Sequence, residues 1–454
     1  MKHPASFRDP SGFMFSHEGV LYRQINLSYK EQFELFESSG LYEELTNKSL
    51  LIPHEVVEVP FADEELGWKV IKPQLIPLVT FPYEWCFSQL KAAALLTLQI
   101  QKKALAKGMT LKDCSAYNVQ FIGAQPHFID TLSFDIYKAG EPWVAYQQFC
   151  RHFLAPLALA TYCDYRLQHN LSFALEGLPL DLTSKLLPKT SWLRFGLLTH
   201  IHMHANFQGR YSDSSSPAAT GGGEGNFSKT AFLGMIESLE GVIEGLEWTP
   251  AGTVWGDYYD DVNYTEAGFA EKRKLVRQTM ENWKPEFIWD VGGNTGEFSR
   301  AYEDRDHYCL SSDIDLAAVE KNFRRAQKEK DRHLIPLMVD VTSPTPAIGW
   351  NNKERSALLT RVPKDTALAL ALIHHLAIAN NTPLPEIAEF FASICNRLLI
   401  EFVPKSDKMV QKLLSSREDI FDSYTAEGFE NAFTEHFVLE KKMTIEASQR
   451  VLYA

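Results

Sequence analysis

The spacing of apolar and polar positions changes character along the chain, and each change marks a different kind of element. An extended stretch from Leu75 to Thr80 leads into Phe81-Pro82-Tyr83-Glu84-Trp85, and a helical period then runs from about Cys86 to Lys107. Residues of about 12–135 read as mixed strand and helix, and residues of about 142–205 as helix-rich. Thr230 to Glu244 is helical again. Beyond residue 286 the pattern switches to short, continuous apolar runs: Phe287-Ile288-Trp289, Tyr308 to Ser312, Leu334 to Val339, Asp365 to Ile373 and Leu398 to Pro404. Strands buried on both faces of a parallel sheet look like this. A helix is predicted from about Leu384 to Asn396. The tail, Phe437 to Glu440, a turn, then Met443 to Tyr453, predicts an antiparallel hairpin.

Composition sharpens this outline. Ser212 to Gly225 is small, polar and glycine-rich and reads as a linker. The expected organisation is an accessory or kinase-like domain over 1–208, a linker over 209–228 and a second domain over 229–454. A length of 454 residues suits two domains, and 45% apolar residues supply ample core. The net charge of −13 argues against bare nucleic acid as a partner. Six cysteines without C-x-x-C spacing point to free thiols in a reducing, cytoplasmic setting and to no metal site. Met1-Lys2-His3-Pro4 does not open a signal peptide, and the longest apolar run is too short to span a bilayer, so no membrane partner is expected.

The candidate chemistry is concentrated in 287–298. The run Phe287-Ile288-Trp289 ends in Asp290, followed by Gly292, Gly293, Asn294 and Gly296 and a helix-like stretch. This predicts a strand, a tight glycine turn and a helix whose free N–H groups face a ligand. A second strand ends in Asp313, about where a βαβ unit places the carboxylate that holds a ribose, and Asp315 is placed to share that role. The spacing Asp290-x-Gly292-x-x-x-Gly296 is not the G-x-G-x-x-G that receives a pyrophosphate. An acid ahead of the glycines suits a cofactor with a cationic amino group.

This stretch resembles the cofactor loop of class I S-adenosylmethionine-dependent methyltransferases, which read D-x-G-x-x-x-G. The resemblance covers about residues 280–454. It implies an α/β fold with a Rossmann-like seven-stranded sheet closed by the C-terminal hairpin. It also implies S-adenosyl-L-methionine as cofactor, with Asp290, Gly292, Gly293, Asn294 and Gly296 at the methionine part, Asp313 at the ribose and Asp340 at the adenine. His374 and His375, at the end of the fourth strand, fall where the family places acceptor-site residues and are the candidate catalytic pair. Asp257, Tyr258, Tyr259, Asp260 and Asp261 are further candidates for an acceptor pocket. Nothing in the sequence names the methyl acceptor, which could be a small molecule, a saccharide or a protein.

The upstream half has its own order of polar residues. Asp113 in Leu111-Lys112-Asp113, then Asn118, then Asp130 in Phe128-Ile129-Asp130 follow the order of the catalytic Asp, Asn and metal-binding Asp of kinase-like folds, a possible nucleotide site. The glycine-rich phosphate loop and the Val-Ala-Ile-Lys strand are missing, with Arg23 as a weak stand-in for that lysine. A degenerate α+β kinase-like domain is therefore expected upstream. With Phe81-Pro82-Tyr83-Glu84-Trp85, Leu111-Lys112-Asp113 through Asn118, Trp255 to Tyr259, the glycine loop and Ile373-His374-His375-Leu376, the chain resembles over nearly its whole length a group of bacterial S-adenosylmethionine-dependent methyltransferases related to a nodulation protein. Two other functions remain open: a non-catalytic cofactor-binding module with a partner-binding pseudokinase, and a phosphotransferase. His200, His202 and His204 lie in a helical pattern, where alternate residues point apart.

Overall fold

The computed structural model describes residues 1–204, 227–250, 265–302, 307–446 and 448–454. Ser212 to Gly225 and the aromatic–acidic stretch Asp257 to Asp261 lie outside them. The chain divides into two compact units. One comprises Met1–Phe121, Pro126–Thr249 and Ala347–Arg355; the other comprises Ile122–Gln125, Pro250–Pro346 and Ser356–Ala454. All six cysteines are free thiols. Among the described residues no helix is long and apolar enough to cross a membrane.

The first unit opens with an antiparallel sheet in the order β1-β2-β4-β3, made of β1 (Gly12–His17), β2 (Val20–Asn26), β3 (His54–Val57) and β4 (Gly67–Pro73). The β1–β2 turn places Glu18 and Gly19 at positive φ, the conformation a two-residue hairpin needs. Helices α1 (Lys30–Ser38) and α2 (Leu41–Asn47) lie between β2 and β3 in the chain. Ile25, Tyr29, Phe33, Ile71 and Leu132 form one apolar cluster of this unit. A 20-residue helix, α3 (Phe87–Ala106), follows; Gln89 Oε1 accepts the Cys86 N–H at 2.9 Å at its start. Next come β5 (Met109–Leu111), β6 (Val119–Ile122), β7 (Gln125–Phe128) and β8 (Phe134–Ile136), paired β5 with β8 and β6 with β7.

Helix α4 (Lys229–Gly245) packs on α3 and belongs to this first unit. Phe232, Ile236, Leu239 and Ile243 bury one stripe, and Glu240 pairs with Lys102 at 2.7 Å. The compact unit thus runs past the boundary expected at residue 228. Ala347–Arg355 also belongs to it: Arg8 grips Glu354 with Nε at 2.6 Å and Nη2 at 3.1 Å, and the Arg355 guanidinium lies 4.2 Å from the Tyr117 ring centre.

The second unit starts with α5 (Glu266–Trp283), capped by the Thr265 hydroxyl. Its sheet contains β9 (Phe287–Val291), β10 (Tyr308–Asp313), β11 (Leu334–Met338), β12 (Thr366–Ala369), β13 (Arg397–Phe402), β14 (Lys442–Thr444) and β15 (Val451–Tyr453). The order is β11-β10-β9-β12-β13-β15-β14, with the first five parallel and β15 and β14 antiparallel. Every residue of β9, the middle one of the five parallel strands, is buried. Helices α6 (Leu316–Glu329), α7 (Leu384–Ile394), α8 (Lys408–Leu414) and α9 (Ala426–Thr434) complete the unit. The seven-stranded Rossmann-like sheet with its closing hairpin is as expected.

Two extents differ from expectation. β12 ends at Ala369, not Ile373, because Ala371 takes a left-handed conformation (φ 52°) and gives its N–H to Glu401 Oε2 at 2.7 Å. The outer hairpin arm is Lys442–Thr444; the Phe437 N–H instead bonds back to the Phe433 carbonyl at the end of α9.

Under the strand ends lies a buried charge cluster. Lys272 Nζ sits 2.6 Å from Glu401 Oε2, both side chains being almost fully enclosed. Arg450 Nη1 is 3.8 Å from Glu401, and Arg450 Nε pairs with Asp407 at 2.8 Å. Removing one partner of such a cluster leaves an uncompensated charge. Glu401→Leu should destabilise the second unit by about 3–5 kcal/mol. Chemical denaturation checks this; a change below about 1 kcal/mol would refute the view that Glu401 anchors the cluster.

Candidate functional site

The turn after β9 is shaped by left-handed residues. Gly292 (φ 77°), Asn294 (φ 49°) and Gly296 (φ 80°) put three left-handed residues within five. At Gly296 a side chain would also strike Arg300 and Asn322. The stretch from Thr295 to Arg300 forms turns, so the regular helix expected there is not seen among the described residues. Nor do the turn's N–H groups wait for a ligand. Gly292 and Gly293 both donate to the Ser312 carbonyl at 2.9 Å, and Asn294 N–H donates to Asp313 Oδ2 at 2.9 Å. The turn is tied to β10, and those amides are not presented to an anion.

Beside this turn is a cavity of about 320 Å³. Of the residues singled out from sequence, Asp290, Gly292, Gly293, Asn294, Asp313, Asp340 and His375 line it; Gly296 and His374 are not among its walls. The carboxylates come from the ends of three adjacent strands. Asp290 closes β9 but for one residue and accepts a 2.6 Å hydrogen bond from the Ser299 hydroxyl. Asp313 ends β10, and its second oxygen accepts the Asp315 N–H at 2.8 Å. Asp340 follows β11 and is held by the Thr342 hydroxyl at 2.6 Å. Asp315 instead caps α6, accepting the Ala317 and Ala318 N–H groups at 2.8 and 3.2 Å.

Burial pushes Asp290 up from its ordinary 3.8 to about 6, against the opposing pull of Ser299 and Lys272. Burial likewise pushes Asp313 to about 6, although backbone N–H groups of Asp315 and Asn294 favour its charged form. Two carboxylates held above their ordinary range thus face one cavity. The histidines are shifted the other way. Burial, then Arg450, lowers His375 to about 4. His374 is fully enclosed, neither ring nitrogen has a hydrogen-bond partner, and burial holds its pKa well below normal. Both rings are neutral at pH 7.

Among the walls given no role in the sequence reading are Phe269 and Lys272 of α5, and Phe298. Lys272 had a legible signal, because it lies on the buried stripe of α5 between Gly268 and Val276.

In the first unit, Asp113, Asn118 and Asp130 come together. The Asn118 amide donates to the Ser133 hydroxyl at 3.2 Å, and that hydroxyl donates to Asp130 at 2.5 Å. Arg23, on β2, pairs directly with Asp130 through Nη1 and lies 3.8 Å from Asp9. Burial would raise Asp130, but Arg23, Ser133 and the Leu132 N–H outweigh it and its pKa is lowered. Asp113 is raised, by burial first and then by the charge of Asp130. His200 and His202 have separate partners: His200 meets Tyr146 and Ser238, and His202 meets Ser184 and Ser191.

The second unit's strand order, antiparallel edge hairpin and acidic cavity at the parallel strand ends define a methyltransferase-like α/β domain. The chain is 34% identical to nodulation protein NoeA of Rhizobium meliloti (strain 1021) over 452 residues, covering 99% of this chain and 94% of that protein. It belongs to the NoeA family. No family model matches the sequence. Among solved structures, magnesium protoporphyrin IX methyltransferase (ChlM) from Synechocystis PCC 6803 is 14% identical with a TM-score of 0.31, over 44% of this chain and 90% of that one. N-methyltransferase NodS from Bradyrhizobium japonicum WM9 is 9% identical with a TM-score of 0.29, over 41% and 95%. The bifunctional kinase-methyltransferase WbdD is 12% identical with a TM-score of 0.29, over 48% and 46%. At TM-scores this low nothing about function follows from these likenesses.

The raised carboxyls have a consequence for stability. Between their ordinary 3.8 and about 6, the folded state binds more protons than the unfolded one, so their contribution to stability falls as pH rises through that window. Asp290→Asn removes one such group. It should flatten the fall between pH 4 and 6 and leave the variant more stable than the parent at pH 7, by about 1–3 kcal/mol. Thermal unfolding across this range measures it. A variant less stable at pH 7, with the parent's pH slope, would contradict the assignment.

Proposed function

We propose that this protein transfers a methyl group from S-adenosyl-L-methionine to an acceptor that is a small molecule, a saccharide or a protein. One observation carries the reading. Asp290, Asp313 and Asp340 converge from three adjacent strand ends on a cavity whose glycine turn has spent the N–H groups of Gly292, Gly293 and Asn294 on β10. Such walls favour a ligand with a cationic group and a hydroxyl-bearing ribose and disfavour a pyrophosphate. In this reading Asp290 and the turn hold the methionine part, Asp313 the ribose hydroxyls and Asp340 the adenine amino group. Methyl transfer is an in-line displacement at the sulfonium, so the chain's work is to position the two reactants and keep water out. His375, neutral and on the cavity wall, is the side chain nearest to a proton-accepting role, though a ring lowered to about 4 is a weak base.

Calorimetry tests the cofactor. S-Adenosylhomocysteine should bind and NAD should not, and Asp313→Ala should weaken the product's binding by about 1–3 kcal/mol. Binding of NAD with none of S-adenosylhomocysteine would end this proposal.

For the first unit the same reading assigns a kinase-like fold without phosphotransfer. The β1-β2-β4-β3 sheet with its helices between β2 and β3, and the order Asp113, Asn118, Asp130, support the fold. The Arg23–Asp130 pair speaks against activity, because a carboxylate already neutralised by a guanidinium is a poor magnesium ligand. Incubation with γ-labelled ATP should leave acceptors unlabelled. Label that disappears in both Asp113→Ala and Asp130→Asn would make the protein bifunctional.

A further inference from the structure

The first unit carries an exposed apolar face that the methyl-transfer reading does not use. It begins on the short helix Leu180–Leu186, which buries Leu180 and Thr183. Leu182 and Leu186, one turn apart, stand in solvent. The chain then passes Pro188 and makes a tight turn over Lys189–Leu193. Leu193 is 88% exposed and Phe195 76%, and Leu182, Leu186, Trp192 and Met203 are each between 42% and 48% exposed. Polar contacts hold this face from beneath. His202 meets the Ser184 hydroxyl with Nδ1 at 2.7 Å and the Ser191 hydroxyl with Nε2 at 2.8 Å, and its ring stacks on Trp192 with centres 4.3 Å apart. The buried Ser191 also donates to the Pro188 carbonyl at 2.7 Å. Cys163 Sγ donates to the Leu186 carbonyl at 3.4 Å, and the Arg194 guanidinium lies 4.6 Å from the centre of the Tyr162 ring. With its polar groups answered beneath and its apolar ends in water, such a face marks a surface that another phase or molecule covers.

Charge says what the face fits. Lys185, Lys189 and Arg194 are exposed among its apolar residues. No acidic residue occurs between Leu182 and His204, in a chain whose formal net charge is −13. Asp181, just before this stretch, reaches Lys185 at 3.5 Å, but both side chains stand largely in solvent, where such a pair is weak. A protein interface is depleted of lysine, whereas basic side chains interleaved with Trp, Phe and Leu suit the headgroup region of a bilayer. We propose that this face lies on an anionic membrane surface. Leu186, Trp192, Leu193 and Phe195 enter the boundary between headgroups and acyl chains, and Lys185, Lys189 and Arg194 meet the lipid phosphates and carboxylates. A contact of this kind needs no spanning helix, and the expectation of no membrane partner rested on the lack of one.

Co-sedimentation of the full-length protein with vesicles tests this, using phosphatidylcholine alone and equal parts of phosphatidylcholine and phosphatidylserine. The mixed vesicles should bind about tenfold or more tighter than the neutral ones, and less tightly as salt is raised. Leu193→Ser with Phe195→Ser should weaken binding to the mixed vesicles about tenfold or more. Lys185→Glu with Lys189→Glu should weaken it by a similar factor without removing an apolar side chain, and it decides the matter where the first variant fails to fold. Val438→Ser, at an exposed apolar residue of the second unit, should change nothing. Failure of the unmodified protein to bind the mixed vesicles overturns the proposal, and so does an equal loss in Val438→Ser. Self-association that Leu193→Ser with Phe195→Ser abolishes, with no vesicle binding, also overturns it and assigns the face to a second copy of the chain.

Discussion

A single buried carboxylate organises the second unit. Glu401, on β13, accepts the Lys272 ammonium from α5 and the Ala371 N–H from the loop after β12, and it lies 3.8 Å from Arg450 beside the closing hairpin. Helix, loop, strand and hairpin are thus referred to one group with no access to water. A carboxylate in that position is costly unless every neighbour answers it. The left-handed turn at Ala371 follows from this demand, because the amide must point at Glu401. The same turn ends β12 early and sends Leu372 and His375 to the cavity wall.

The cavity itself trades stability for a charged interior. Asp290 and Asp313 are held where a neutral side chain would be easier to bury, and the backbone N–H groups around Asp313 compensate only in part. The glycine turn shows a parallel choice. The amides of Gly292, Gly293 and Asn294 satisfy β10, and the charged groups on the cavity wall are side chains. A phosphate-binding turn makes the opposite choice and leaves its amides open.

Much of this was legible along the chain, and the exceptions have physical causes. The parallel strands announced themselves because burial on both faces makes continuous apolar runs, and Asp290, Asp313 and Asp340 stood at or just beyond their ends. The extent of β12 was not legible, since Leu370 to Ile373 stays apolar while the backbone turns in answer to a glutamate thirty residues away. The turns after Gly296 looked helical because local composition does not record that Asn294 and Gly296 are left-handed. Lys272 went unread for a different reason: a lysine usually reads as solvent-facing, and only its place on the apolar stripe of α5 says otherwise. In the first unit, the order Asp113, Asn118, Asp130 was visible, but the ion pair that engages Asp130 joins residues more than a hundred positions apart.

The membership of Ala347–Arg355 bears on how the polypeptide emerges from the ribosome. The first unit receives this segment, with its Glu354 partner for Arg8, only after the roughly hundred residues from Pro250 to Pro346 have been made; at ordinary synthesis rates that is a delay on the order of ten seconds. Vectorial folding, in which an N-terminal domain closes before its successor appears, therefore cannot run to completion here. The nascent first unit waits with an unfilled place, and the strands β9, β10 and β11 are already synthesised when that place is taken. The two units interleave along the chain, so no single cut or fusion point in the coding sequence yields either one whole.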